Sequence, residues 1–231
     1  MRICYCADAN ALPLLEMSVE TVLKFNPAAE IVVVSKEKLD VPCRNILLDT
    51  SGYTLICPEG ERLTEATYYR VFLPTLDFDR CIYLDCDTLC AGSLQELWET
   101  EVPYIGLCTT HNSGVIQSRL LGIPRYGSDA MMLMDCAALR DIHFTETMMR
   151  ALPNIHRAPH GFHFAETLLN AVFYDRLTFL PMRWNKCKNR CYSAYRAEEC
   201  RFTDAVIRHY IGGQRSEQEH DFREIMGRAA R

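Results

Sequence analysis

The chain has 231 residues, 48% of them hydrophobic and 24% charged, with a formal net charge of −5. That length can bury a sizeable core as one α/β domain, and the acidic balance gives no general electrostatic reason to bind nucleic acid or an anionic membrane. No apolar run approaches the ~20 residues that a bilayer-spanning helix needs, so a soluble protein is expected. The opening MRICYCADAN lacks the long apolar core and small-residue cleavage site of a signal peptide. The twelve cysteines are therefore expected to be reduced, in the cytoplasm. Cys187, Cys191 and Cys200 are spaced C-x3-C-x8-C without the paired C-x2-C knuckles of a zinc site, and they read as small hydrophobes.

Short apolar runs alternate with segments of helical period, the pattern of an α/β fold around a mainly parallel sheet. Ile3 to Ala7 reads as a first strand, and Leu15, Val19, Val22 and Leu23 mark a helix that Pro27 closes. Ile31 to Val34 is a second buried strand, and most of 36–60, around Pro42 and Pro58, reads as loop. Thr64 to Leu76 reads as a helix with Tyr69, Phe72, Leu73 and Leu76 on one face, and Cys81 to Leu84 as a strand. Ser93 caps a short helix through Trp98. Val102 to Leu107 and Ala130 to Met134 are strands, and the polar stretch 109–128, with Gly114, Gly122, Pro124 and Gly127, reads as a long surface loop. Ala137 to Leu152 and His163 to Tyr174 read as helices, Thr178 to Leu180 and Ala205 to Tyr210 as short strands. A charged tail from about Gln214 ends in a surface helix, and with no repeat or linker in sight residues 1–231 are expected to form a single domain.

The sharpest chemical signal is IYLDCDTL, residues 82–89. Alternation along a strand would send Asp85 and Asp87 to one side and Cys86 to the other. Carboxylates at the C-terminal end of a central strand lie where open α/β sheets bind ligands, and two like charges this close call for a cation or a shared proton. Mn²⁺ or Mg²⁺ suits such oxygen ligands and bridges to phosphate. D-x-D alone is a weak pattern; directly after an apolar strand and ahead of Ser93-Leu94 and Leu97-Trp98 it is more specific.

Ala66-Thr-Tyr-Tyr-Arg70, Leu73-Pro74 and Asp79 to Asp87 together resemble the central block of glycosyltransferase family 8, retaining enzymes that include lipopolysaccharide galactosyl- and glucosyltransferases and glycogenin; the likeness runs from about residue 1 to 215. It implies a Rossmann-like, GT-A type nucleotide-sugar-binding domain with a central sheet flanked by helices. It also implies transfer of a hexose from a UDP-sugar, UDP-glucose or UDP-galactose, to an acceptor hydroxyl on a glycan, a lipid-linked glycan or a protein. By that resemblance Asp85 and Asp87 would ligate the metal with Cys86 between them, and Arg70 would approach the sugar-nucleotide. Ala7-Asp8-Ala9-Asn10 is similar to the uracil- and ribose-binding loop, while the same residues could equally form a turn in which Asp8 or Asn10 caps the next helix. Val206 to Gly212 is similar to the family's closing motif, which implies His209 as third metal ligand and Gly212 beside the diphosphate; Arg215 stands near the place of the family's lysine.

Two departures stand out. The family's Asn-Ser-Gly-Val strand falls on Ser128 to Met131, and the literal Asn112-Ser113-Gly114-Val115 is a decoy in the loop. The family's Asp-Gln-Asp falls on Ala165-Glu166-Thr167, so the residue that contacts the donor sugar is an alanine, Glu166 replaces a glutamine near the anomeric carbon, and Asp129 is a candidate for the missing carboxylate. Whether Glu166 is a nucleophile stays open, and a catalytically degenerate sugar-nucleotide-binding protein is the alternative. A haloacid-dehalogenase-type phosphatase is discounted because Leu89 and the position of the motif are wrong for it, and a nucleotidyltransferase because residues 7–10 carry no Gly-rich loop with Arg.

Overall fold

The computed structural model describes residues 1–57, 64–156, 164–194, 200–211 and 214–227. β1 (Arg2–Cys6) leads into α1 (Leu12–Phe25), which has Pro13 in its first turn, where a missing N–H costs no helical bond. α1 buries Leu15, Val19 and Val22 and leaves Leu23 exposed. The chain returns as β2 (Glu30–Ser35), parallel to β1. The stretch expected to be mostly loop contains β3 (Arg44–Leu47), a polar edge strand parallel to β2. Its Arg44 and Asn45 hid it from a reading by apolar runs.

The helix expected over 64–76 is a 3₁₀ segment, Glu65–Thr75, with the Thr64 hydroxyl accepting the Ala66 amide. β4 (Arg80–Leu84) follows, then β5 (Thr88–Cys90) and α2 (Gln95–Glu99), whose Gln95 amide donates to Ser93 Oγ. β6 (Ile105–Thr109) lies a few residues later than expected. The 109–128 segment is a second correction: it holds α3 (Ser113–Leu121), closed by Gly122 at φ +67°, and then the first residues of β7 (Gly127–Asp135). Asn112 to Val115 thus open a helix rather than a strand. The helix expected over 137–152 is broken into α4 (Cys136–Asp141) and α5 (Phe144–His156) at His143, whose φ is +53°. α6 (Phe164–Phe173) starts one residue after His163, which lies outside the described residues, and β8 (Leu177–Leu180), β9 (Lys186–Cys187), β10 (Ile207–His209) and α7 (Arg215–Met226) complete the order.

Seven strands make the main sheet in the order β3-β2-β1-β4-β7-β6-β8. All neighbours are parallel except β7, which runs against both β4 and β6. Alternate residues of β4 go to opposite faces: Cys81 and Tyr83 join the layer with Phe72, Met132 and Leu168, while Ile82 and Leu84 join Leu15, Val33 and Leu133. Covered on both faces, β4 and β7 are buried along almost their whole length, through the apolar stretches Cys81–Leu84 and Ala130–Met134 and the polar Ser128 and Asp129. A small sheet, β5-β10-β9, sits at the end of β4. Far from a mere surface tail, α7 buries Phe222 with Met17, Leu89 and Tyr210 and so locks the small sheet to α1. Among the described residues no helix is long and apolar enough to cross a membrane.

Candidate active site

The Asp85 amide donates to Ala130 O at 2.8 Å, carrying the β4–β7 ladder one residue beyond the strand. The chain then turns at once: the Thr88 amide and hydroxyl both donate to Asp85 O, at 3.2 and 2.7 Å. Asp85 and Asp87 are therefore brought together by a tight turn rather than by strand alternation. On the far side of that turn β10 pairs with β5, His209 opposite Thr88, and the Tyr210 amide donates to Asp87 O at 2.9 Å. Ligand atoms of Asp85, Asp87 and His209 all lie within 4.8 Å of one another. Two carboxylate oxygens and one imidazole nitrogen are a donor set that fits a divalent cation such as Mn²⁺ or Mg²⁺. His209 Nε2 stands 3.3 Å from Asp87 Oδ1. Burial alone would depress the imidazole, but Asp87 and Cys187 outweigh it and raise it well above its ordinary value.

Arg70 is not the surface arginine that its helical context alone would suggest. It is only 8% exposed, packed under the cleft floor. One guanidinium nitrogen lies 2.8 Å from Asp85 Oδ1; the other lies 2.9 Å from Asp129 Oδ2 and donates to Asp129 O at 3.1 Å. The guanidinium stacks over the Tyr83 ring at 4.7 Å, and the Tyr83 hydroxyl donates to Asp85 Oδ1. Both donors take the same oxygen of Asp85, which leaves Oδ2 as the one open to a cation. Burial pushes the Asp129 carboxyl up to about 6, against the pull of Arg70. Beneath this pair a void of only about 10 Å³ is lined by Arg70, Asp129, Ala165 and apolar side chains. The small side chain at 165 and the carboxylate at 129 thus share one corner under Arg70.

Above these residues opens a cleft of about 370 Å³, within the range of small-ligand sites, lined by Ala7, Asp8, Asn10, Thr64, Arg70, Asp85, Cys86 and Asp87 among others. Of its two sequence readings, Asp8 shows the turn cap, and it also faces the cleft. Its Oδ1 accepts the Asn10 and Ala11 amides at 2.9 and 3.3 Å, capping the short 3₁₀ turn, while Oδ2 accepts the Thr64 hydroxyl at 2.7 Å on the cleft wall. Gly212 lies outside the described residues. Arg215 begins α7, is 60% exposed at its side chain and pairs with Glu219 at 2.9 Å; it is not among the cleft-lining residues.

Glu166 projects from the first turn of α6, half-buried. Desolvation, and then the charge of Asp129, raise its carboxyl well above the usual range, with Arg70 and His209 pulling the other way. Tyr126 presents its hydroxyl to Thr167 Oγ1 at 3.0 Å and to Glu166. Asn170, one turn further along, clamps Gly127 at both ends, accepting its amide at 2.7 Å and donating to its carbonyl at 2.8 Å. That clamp places the start of β7, and with it Asp129, against α6. Asn170, Tyr83, Thr64 and Cys187 are site residues that sequence reasoning missed. Tyr83 could have been found from the strand period, which puts it on the same face as Asp85.

A family model for glycosyl transferase family 8 matches residues 3–215. General stress protein A of Bacillus subtilis (strain 168) is 24% identical over 207 residues, which is 81% of this chain and 72% of that protein. Among solved structures, the galactosyltransferase LgtC in complex with donor and acceptor sugar analogs superposes with a TM-score of 0.80 at 18% identity, covering 100% of this chain and 97% of LgtC. The glycosyltransferase GlyE of Streptococcus pneumoniae TIGR4 gives 0.67 at 17% identity, over 98% of this chain and 62% of GlyE.

Proposed function

The chain belongs to glycosyl transferase family 8 and is a glycosyltransferase; on that premise we propose that it moves a hexose from a UDP-sugar to an acceptor hydroxyl with retention, using a divalent cation. The observation that carries this reading is the convergence of Asp85, Asp87 and His209 at one end of a cleft whose wall also presents Asp8 and Asn10. Asp8 and Asn10 offer short polar groups to a base and a ribose, and Ala7 is small enough to let the nucleotide lie against the strand end. Asp85, Asp87 and His209 would hold Mn²⁺ or Mg²⁺, which would supply Lewis-acid stabilisation of the diphosphate. Cys86, between the two aspartates, lines the cleft and points its thiol at Cys6 O. Arg215 would serve the diphosphate end by exchanging Glu219 for phosphate oxygens.

Arg70, fixed from below by Asp129 and from the side by Asp85, faces the sugar-nucleotide as a preorganised cation. Glu166 lies on the helix under the reacting carbon, with a carboxyl that burial holds toward its neutral form. In that form it donates a hydrogen bond; ionised by the charges a donor brings, it is a base or a nucleophile. Glucose and galactose are the favoured donor sugars, and the acceptor is a hydroxyl on a glycan, a lipid-linked glycan or a protein. Twelve free cysteines, eight of them buried, suit a reducing compartment such as the cytoplasm.

The test is a panel of UDP-sugars with Mn²⁺, assayed for slow release of UDP without acceptor, wild type beside Asp87→Asn. Release from one sugar that requires the metal and disappears in the variant is the expected result. Absence of both release and metal-dependent UDP binding overturns the reading. For Glu166, unchanged product stereochemistry and undiminished rate in Glu166→Ala would exclude the nucleophile.

A further inference from the structure

His209 has two ring nitrogens, and the carboxylate cluster engages only Nε2. Nδ1 lies 3.5 Å from Cys187 Sγ, within reach of a hydrogen bond to sulfur. The small sheet builds this contact: β9 runs parallel to β10 with Cys187 in register with His209, and the Lys188 amide donates to His209 O at 2.9 Å. Both side chains are buried, at 2% and 6% exposure. The thiol is itself held in place, because the Cys187 amide donates to the hydroxyl of buried Tyr192 at 3.1 Å. A metal-bound histidine usually sends its second N–H to a carboxylate, a carbonyl or a water, and that partner sets the tautomer and aims the ring. Here the neighbour in that position is a sulfur.

We propose that Cys187 is a positioning residue for the cation site: its sulfur accepts the Nδ1–H of His209, which keeps the Nε2 lone pair turned toward Asp85 and Asp87. This rests on the metal-binding reading of that cluster, although the pairing of thiol and ring can be tested without any metal. Sulfur is a weak acceptor, so it orients the ring while adding less electron density to Nε2 than a carboxylate would. No other element supplies a partner for Nδ1 among the described residues, so removing the sulfur frees the ring to rotate or to exchange tautomers.

The experiment uses the full chain as wild type, Cys187→Ala and Cys187→Ser. Mn²⁺ affinity is measured calorimetrically in the presence of UDP, and the His209 ring nitrogens are followed by ¹⁵N NMR, without metal and with Mg²⁺ and UDP, assigned through His209→Asn. Cys187→Ala is expected to weaken Mn²⁺ binding by about 10- to 100-fold and to shift the His209 nitrogen signals away from the Nδ1–H tautomer. Cys187→Ser, which keeps an acceptor, recovers most of both. Wild-type Mn²⁺ affinity and unchanged His209 signals in Cys187→Ala overturn the proposal. So does an equal loss of affinity in both variants with unchanged ring signals, since that is the mark of a packing defect. If the wild type binds no Mn²⁺, the metal reading of the cluster falls, and the ring signals alone then decide the pairing of Cys187 with His209.

Discussion

On the large sheet, Arg70 stands between Asp85 and Asp129, with Tyr83 as both its stacking surface and a donor to Asp85. On the small sheet, a few ångströms away, Asp87 pairs among the described residues only with His209, which leans in turn on Cys187. Both regions crowd ionisable groups, but they neutralise them differently. The first carries its own permanent cation, buried and bonded to both carboxylates, so it belongs to the fold as much as to the site. The second has one half-exposed aspartate, Asp87, and an imidazole, beside the outer oxygen of Asp85 that the two regions share, a set whose balance an external cation would complete. Damage to the first region is therefore expected to register in stability, and damage to the second in metal binding and turnover.

The sharpest way to break this comparison is Arg70→Ala. It leaves Asp85 and Asp129 beside one another with no cation, and removing one partner of a buried ion pair costs about 3–5 kcal/mol. Urea unfolding is expected to show a loss of that order; a loss below about 1 kcal/mol would mean that the Arg70 cluster is not part of the framework. Next comes Asp87→Asn, expected to lower metal-dependent UDP release by about 10²- to 10³-fold with an unfolding midpoint close to that of the wild type. A large drop in stability there would erase the distinction between the regions. Asn170→Ala tests the helix-to-strand clamp that sets Asp129: it strands the Gly127 amide and carbonyl in the interior, for about 1–3 kcal/mol, again read by urea unfolding.

The smallest effect is a slope. The Asp129 carboxyl is raised to about 6 in the folded chain, above the ~3.9 of an unperturbed aspartate. Proton binding there stabilises the fold fully below about pH 4, and that contribution is lost as pH rises through about 6. The difference in unfolding free energy between wild type and Asp129→Asn should therefore fall as pH rises from 4 to 6 and level off above. A flat difference would show that Arg70 already holds Asp129 ionised throughout that range.

Several parts of this site were legible in the residue order because their signals are local. The apolar runs of β1, β2 and β4 announce buried strands, and Asp85-Cys86-Asp87 directly after the last of them places two carboxylates at a sheet end. Where signals were not local, reading stopped. β3 is an edge strand with polar residues, and α3 is a short helix inside a Gly- and Pro-marked stretch, so neither shows a clean period. The aspartates converge through a turn capped by Thr88, which the alternation rule does not describe. The burial of Arg70 was not legible because its own segment says nothing of Asp129, 59 positions away.

The sequence by itself determined the α/β class and the β4 strand with its two aspartates, since each rests on a run of neighbouring residues whose period has one favoured form; the Asp8–Asn10 loop and the candidacy of His209 needed the family resemblance as well. Only the tertiary structure decided which charge answers which. β7 had to run antiparallel beside β4 to bring Asp129 under Arg70, and β9 and β10 had to pair in register to set Cys187 against His209. The partner of a buried charge is chosen by strand register and helix docking between distant segments. The energy that selects it, desolvation balanced against a specific opposite charge, exists only once those segments have closed water out.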